Sequence, residues 1–505
     1  MSVLARALPE RSQDADVSVA VRRGVWVLLA VIIAQTAWIL AVPPFRGIDE
    51  FDHAFRAAGV ASGEWHLSQA PIDGRGLLTW VPADLVKEAG PQCAALPYTG
   101  PDNCRPVETR GSQVRIATSA GEYNPLFYWV TGTVAKPFDG TSALYAMRIT
   151  TALMTALLLA LGAGLTALAG AGRWASLGLL TAITPQVVFS GVIPAPNGPE
   201  MGLGLVLWSS LLALDRAEGT RREAILLSTA FAAAVPLAFL RFLGPLWVAC
   251  IVLSLVALRG WPATWRLIVR RRRLAALGAA AVVVATGWGL VWLVIAGRYH
   301  VPDGAKVYGA PAQWSHVLYV PLWLMQMVGA FPFRDIPAPI WTYPLAFLVI
   351  SLLTWGAWRR GPDLRRSRAL FWIVIASLVV PILLSAALMP SVGAVWQGRY
   401  ELPFVIGILP VCGILLDEAG FAPAESGKLI AACAVMLTTV QIACVVNVEQ
   451  LELQRPISSG DASWVHVSVW VVGAMMALAC GVAWLGTLPS VSSVVGLRHR
   501  VRADA

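Results

Sequence analysis

Long apolar runs alternate with short polar ones along this chain. Residues 25–42 form the first run, and a long polar stretch follows it. Apolar runs then recur at 143–170, 174–193, 200–214, 224–240, 242–258, 275–297, 339–357, 370–389, 402–416, 428–446 and 464–486. A helix needs about 20 apolar residues to cross a hydrocarbon core of about 30 Å. The pattern predicts an all-α, polytopic transmembrane bundle of about 12 spans, with a range of 11–13. The piece at 124–134 is too short to cross and predicts a re-entrant or surface-lying helix. Residues 316–331, interrupted by Pro321, predict a second piece lying at the surface.

Composition supports lipid as the solvent. Of 505 residues, 57% are hydrophobic and 13% charged, against about 25% charged in soluble domains. The net charge of +9 sits in short loops between apolar runs, without a basic stripe interleaved with aromatics. Nucleic acid is therefore set aside as a partner. Placing both termini in the cytoplasm puts four basic groups inside: Arg216, Arg221 and Arg222; Arg259, Arg266 and Arg270 to Arg273; Arg359, Arg360, Arg365, Arg366 and Arg368; and Arg498, Arg500 and Arg502. Counting 124–134 as a full span would move most of them outside. The first run is longer than the 7–15 residues or so of a secretory signal, and with Arg22 and Arg23 before it reads as a signal anchor.

The expected division is a cytoplasmic tail at 1–24, a first span at 25–44, an extracytoplasmic loop with juxtamembrane and re-entrant helices at 45–142, the bundle at 143–487, and a cytoplasmic tail at 488–505. The outer face then carries the loop 45–123, the turn around Asn197, the loop 298–311, the segment 389–401 and the loop 447–463. Five of the seven cysteines lie in apolar runs and read as packing residues. Cys93 and Cys104 stand in the outer loop, where an oxidising compartment allows a disulfide worth about 3 kcal/mol in the chain-entropy view.

Candidate chemistry collects on that same side. Just after the first span, a helix beginning near Asp49 would place Asp49, Asp52, His53 and Arg56 on one face, with Phe51, Ala54, Phe55 and Ala58 beside them. It reads as surface-lying, with its aromatic side in the membrane boundary. Asp49 is either an N-cap or a carboxylate able to deprotonate an acceptor hydroxyl. Arg399, followed by Tyr400, is an outward arginine at a helix start, against both the charge rule and the helix dipole. It implies a phosphate partner or a salt bridge to Glu401 or a loop acid. Arg148 within the second span either serves a site or snorkels. Asn197 with Glu200 three residues on is good helix-start chemistry, and Arg241 lies at another outer turn. His300 and His316 lack ligand spacing, so a divalent metal is unsupported, and no nucleotide-binding or Ser-His-Asp signature is present.

In order, the pattern of one span, a DE pair with a following His, and a long loop ending in Tyr123-Asn124-Pro125-Leu126-Phe127-Tyr128-Trp129 resembles the GT-C superfamily of membrane glycosyltransferases. Arg148 and the Pro185-containing third run agree in order. The sequence is closer still to a bacterial branch known only as predicted membrane proteins, with an early PDE-x-x-H and a late GRY-x-x-P motif. Here these read Ile48-Asp49-Glu50-Phe51-Asp52-His53 and Gly398-Arg399-Tyr400-Glu401-Leu402-Pro403. Ile48 stands in place of Pro, and the turn where relatives often carry Asp has Asn197 and Glu200 instead.

The resemblance implies a polyprenyl-phosphate sugar donor and a glycan, glycolipid or protein acceptor, with membrane lipid around the protein. It implies Asp49 as base with Glu50 beside it, and Arg399 and Tyr400 on the donor phosphate, helped by Arg148 or Arg241. Asp52, His53, Asn197 and Glu200 would support the site, which would face outward across a bacterial plasma membrane. No cofactor is implied. A lipid-linked saccharide flippase and a non-catalytic subunit of a cell-envelope complex are the other readings the sequence allows.

Overall fold

The computed structural model describes residues 10–97, 99–296, 315–392, 396–422 and 426–488. The loop 298–311 with His300, and Arg498, Arg500 and Arg502, lie outside the described residues. The chain begins with helix α1 (Glu10–Ala41) and short α2 (Glu50–Ala61). A small domain follows, made of β1 (Leu77–Pro82), α3 (Ala83–Ala94), α4 (Pro101–Cys104), β2 (Glu108–Arg110) and β3 (Gln113–Thr118). Then come α5 (Pro125–Ala135), α6 (Gly140–Ala169), α7 (Arg173–Ala182), α8 (Pro185–Ser190), α9 (Asn197–Ala213), α10 (Arg221–Leu240), α11 (Gly244–Arg259), α12 (Trp261–Arg270) and α13 (Arg272–Ile295). The last group is α14 (Val320–Val328), α15 (Thr342–Arg360), α16 (Leu364–Val392), α17 (Leu402–Val405), α18 (Ile408–Glu418), α19 (Ser426–Leu453), α20 (Pro456–Ser459) and α21 (Val469–Thr487).

Among the described residues eight helical segments are long and apolar enough to cross a membrane, or nine if the bent pair α11–α12 counts as one. Three of the twelve expected runs do not form a helix of that length and apolarity. The run at 174–193 is broken into α7 and α8, where Pro185 starts a new turn. The run at 200–214 gives α9, only 17 residues long. α15 has 19 residues, but its polar start and terminal Arg359 and Arg360 dilute it. Broken and shortened helices are tolerated where neighbouring protein, not lipid, surrounds them; α9 is buried along almost its whole length.

α6 packs between α1 and α9, and α21 covers α1 from the other side. A hydroxyl pair between Thr166 and Ser209 at 2.8 Å holds α6 against α9. Charges segregate to the two ends of this core. At one end Arg23 donates to the carbonyls of Ala171 and Thr487, near Arg259–Asp215, Arg270–Glu223 and Arg366–Glu418. At the other end, where α1 stops, Arg46 pairs with Asp335 and Glu452. The second group also holds Arg148, Arg241 and Arg399.

Two apolar clusters fill the interior, one within the bundle and one between α2, the small domain and the start of α6. β1 and β2 both pair antiparallel with β3, with Leu78 opposite Ala117 and Trp80 opposite Arg115. This sheet departs from the all-α expectation; Val114 and Ile116 alternate with polar residues as a half-buried strand should. Cys93 and Cys104 form a disulfide that ties α3 to α4. The sheet also corrects the expectation for α2. Phe51 and Phe55 are buried in the second cluster instead of facing lipid, because the loop folds its own apolar surface over them. α5 does present an open apolar side, with Leu126, Trp129 and Val134 exposed while Phe127 and Tyr128 pack inward.

Candidate functional site

The chain leaves α1 through Val42, Pro43 and Pro44 and turns directly into α2. Glu50 holds this turn by accepting from the Gly47 amide at 2.9 Å. Glu50 also receives Arg148 of α6, whose Nε and Nη2 donate to its two oxygens at 2.6 and 2.7 Å. The remaining reach of Arg148 goes to the carbonyls of Val42 and Pro43, at 2.8 and 2.7 Å. Both side chains of this pair are fully buried. Arg148 is thus engaged within the protein by Glu50 and these two carbonyls, where the resemblance implied a donor phosphate as its partner. It neither snorkels nor faces the site, and Glu50 is equally enclosed.

Asp49 occupies the cap position of α2, but not as a capping residue. Its backbone is left-handed, φ 52° and ψ 24°, and its side chain makes no cap hydrogen bond. Non-glycine residues in that region are uncommon and clustered at functional sites. The conformation turns the carboxylate away from the helix end and toward two guanidiniums. Arg75 Nη2 lies 3.8 Å from Oδ1 and Arg399 Nη2 lies 3.6 Å from Oδ2. The carboxylate keeps about a third of its surface open, 31%.

Arg399 comes from a single 3-10 turn, Gly398–Tyr400, ahead of α17. Gly398 donates to Gln326 Oε1 at 2.9 Å and is pressed against the Trp323 carbonyl, leaving no room for a side chain. Arg399 is nearly buried, and its guanidinium stands 5.4 Å from the centre of the Tyr400 ring. Arg241 approaches the same ring at 4.9 Å and Tyr123 at 5.8 Å. Its Nη1 pairs with Glu200 at 3.3 Å, and the other oxygen of Glu200 is buried without a partner. The salt bridge from Arg399 goes to a loop acid, Asp49; Glu401 makes no ion pair among the described residues.

The remaining residues of the early motif hold the small domain in place. Asp52 accepts from Arg75 at 2.8 Å and from the Ser119 amide at 2.6 Å. Burial raises its pKa, Arg75 opposes that, and Asp49 adds to it. His53 is buried between Tyr123 and Tyr128, with Nδ1 2.7 Å from the Tyr128 hydroxyl. Burial drops its pKa to about 3, helped by Arg399, Arg241 and Arg75 and opposed by Asp49. It is a neutral ring there. Arg56 donates to the carbonyls of Glu64, Trp65 and Tyr123. Asn197 does not cap α9: Pro196 takes the cap, its carbonyl receives the Glu200 amide, and Asn197 is already helical.

The structure thus gathers Asp49, Arg399, Tyr400, Arg241 and Glu200 at one end of the bundle and adds Arg75 and Tyr123. Arg75 carried no signal in the sequence, since it looks like any loop arginine until β3 and α2 bring it in. Among the described residues no group of three or more His, Cys, Asp or Glu side chains could hold a metal. The arrangement is a partly open carboxylate beside guanidiniums that are only loosely engaged by it. It can receive an oxyanion next to a proton acceptor.

Residues 32–408 match the family DUF2142, described as a predicted membrane protein. No curated protein matches the sequence. Among solved structures, ArnT from Cupriavidus metallidurans bound to undecaprenyl phosphate aligns over 91% of this chain and 77% of its own, with 16% identity and a TM-score of 0.48. The same protein in the apo state aligns over 91% and 76%, with 15% identity and a TM-score of 0.47.

Proposed function

The chain belongs to the DUF2142 family of predicted membrane proteins, and on that premise we propose that it is a GT-C-type membrane glycosyltransferase using a polyprenyl-phosphate-linked sugar. One observation carries the reading. The early DE motif and the late GRY motif, far apart in sequence, meet through the 3.6 Å approach of Arg399 to Asp49. Displacement from a sugar phosphate requires a base and an anion-binding group within one site, one for each face of the sugar ring.

In this reading the donor phosphate takes Arg399, with Arg241 and the Tyr400 hydroxyl near it. The guanidinium then leaves Asp49 for the stronger anion, and the Asp49 carboxylate is free to accept a proton. An acceptor hydroxyl attacks the anomeric carbon from the side opposite the phosphate, and its proton passes to Asp49. The carbon–oxygen bond to the phosphate breaks with both electrons going to the phosphate oxygen, whose charge Arg399 stabilises. The configuration inverts, and Asp49 later releases its proton to water. Arg148 and Glu50 position Asp49 without touching the substrate. A glycan, glycolipid or protein acceptor would enter from the extracytoplasmic side of a bacterial plasma membrane. The arginine-rich end opposite the site supports that orientation, with both termini in the cytoplasm.

The test is reconstitution in vesicles with a polyprenyl-phosphate sugar labelled in the glycosyl group and a membrane extract as acceptor source. Label moving from lipid to acceptor supports the proposal. Label that stays on lipid but crosses between leaflets would instead establish a flippase.

A further inference from the structure

Helix α12 has no part in the site and lies at the opposite, arginine-rich end of the bundle. It is bent by 109° from α11, so it runs across the bundle and not along it. Both of its ends stay at one level. Just before it, Arg259 reaches Asp215 at 3.0 Å, and at its close Arg270 and Arg271 reach Glu223 at 2.6 and 2.7 Å. Asp215 follows α9 and Glu223 opens α10, so these acids mark the two ends of one short connection. α12 therefore lies flat over the end of the bundle and does not cross a membrane.

Its surface divides in two. Trp261, Trp265 and Val269, four residues apart and so on one side of the helix, are exposed at 60%, 53% and 54%. The two indoles stack with ring centroids 5.9 Å apart, and Leu267 alone in α12 is buried. Arg266 sits on another side, and Arg272 and Arg273 follow at the start of α13. These three arginines are exposed and make no ion pair or hydrogen bond among the described residues. No acid occurs from residue 224 to residue 302 to neutralise them from within the segment. α13 carries the open apolar character onward, with Leu277, Val283 and Val284 exposed.

A flat helix with tryptophans on one side and arginines on another is built for the membrane boundary. Indoles settle at the level of the lipid headgroups, and a planar guanidinium matches two phosphate oxygens at once. The positive-inside rule accounts for arginines anywhere at this end. It does not account for a bent helix that sets exposed indoles beside them. We propose that α12 and the start of α13 form a docking surface for anionic phospholipid headgroups, in the leaflet opposite the Asp49 site. Trp261 and Trp265 enter the lipid boundary, and Arg266, Arg272 and Arg273 take the phosphates.

The experiment uses the full chain in nanodiscs that mix phosphatidylglycerol with phosphatidylcholine, and measures which lipid stays bound on transfer to detergent. Wild type should retain phosphatidylglycerol about tenfold over phosphatidylcholine, since each arginine near the surface adds to the attraction. The triple variant Arg266→Gln, Arg272→Gln, Arg273→Gln should lose most of that preference. The control Arg360→Gln, Arg368→Gln removes two exposed, unpaired arginines from the same end and should keep it. In the nanodiscs, Trp261→Ser with Trp265→Ser should speed hydrogen exchange across residues 261–270, because the apolar anchor is gone. Equal retention of the two lipids by wild type would overturn the proposal. So would an equal loss of preference in the control, which would mark general surface charge. A wild-type dimer broken by the tryptophan variant would make a second copy the occupant and overturn it as well.

Discussion

Nη2 of Arg399 sits 3.6 Å from Oδ2 of Asp49, while Arg75 stands 3.8 Å from the other oxygen. Both separations are those of ion pairs and not of hydrogen bonds, so Asp49 is balanced between two cations and captured by neither. Its neighbour Glu50 is the opposite case, locked to Arg148 at 2.6 Å with both partners out of solvent. Adjacent carboxylates thus receive opposite duties from their surroundings: one is spent on structure and one is left available.

Removing Arg148 should therefore harm the fold before it harms chemistry. Arg148→Ala leaves Glu50 buried and unpaired and frees the carbonyls of Val42 and Pro43. A loss of about 3–5 kcal/mol is expected, read as a sharply lower melting temperature or yield in detergent. An Arg148→Ala protein of normal stability that had merely lost lipid binding would return Arg148 to the phosphate site.

Asp49→Gly separates strain from function. Glycine adopts the left-handed backbone of position 49 freely, which should relieve on the order of 1 kcal/mol. The variant should melt at or slightly above the wild-type temperature and transfer no sugar. A marked drop in melting temperature would show that the Asp49 carboxylate holds the fold together.

His53 predicts a signed pH effect. Its folded pKa of about 3 lies below the ordinary value of 6.5, so the unfolded chain binds the extra proton between those values. Stability from His53 is present above pH 6.5 and is lost as pH falls toward 3, by up to about 1.4 kcal/mol per unit. Asp52, whose pKa is raised, pulls the other way as pH falls. The clean readout is the difference between wild type and His53→Gln across pH 5–7. The wild type should lose stability on acidification faster than the variant, and parallel curves would contradict a buried neutral His53.

Much of the site was legible because it depends on local oddities. Asp49 stood at a motif, and Arg399 pointed outward against both charge rule and dipole. Their contact was not legible, since it depends on how α17, packed on α9 and α11, sits beside the turn between α1 and α2. Arg148 could be flagged as an ionisable group in a span, but only the approach of α6 to α1 selects Glu50 as its partner. Asn197 failed as a cap because Pro196, with its fixed φ, starts the turn one residue earlier. α2 failed as a membrane-surface helix because the strands that cover Phe51 and Phe55 are short and their pairing is non-local.

Reducing the Cys93–Cys104 bond should loosen the small domain and leave the bundle intact. The chain-entropy view gives about 3 kcal/mol for a loop of this size. Mild reductant should expose two thiols to alkylation and increase hydrogen exchange in residues 77–118. Protection unchanged by reductant would show that the sheet stands without the bridge.

The central claim is that Asp49 is the base and Arg399 the phosphate anchor of one site. The most direct measurement is single-turnover sugar transfer, with bare polyprenyl-phosphate binding followed in parallel, for wild type, Asp49→Asn and Arg399→Ala. Asp49→Asn should bind the lipid as wild type does and transfer at least about a hundredfold more slowly, while Arg399→Ala should lose lipid binding as well. Transfer by Asp49→Asn at the wild-type rate would contradict the account.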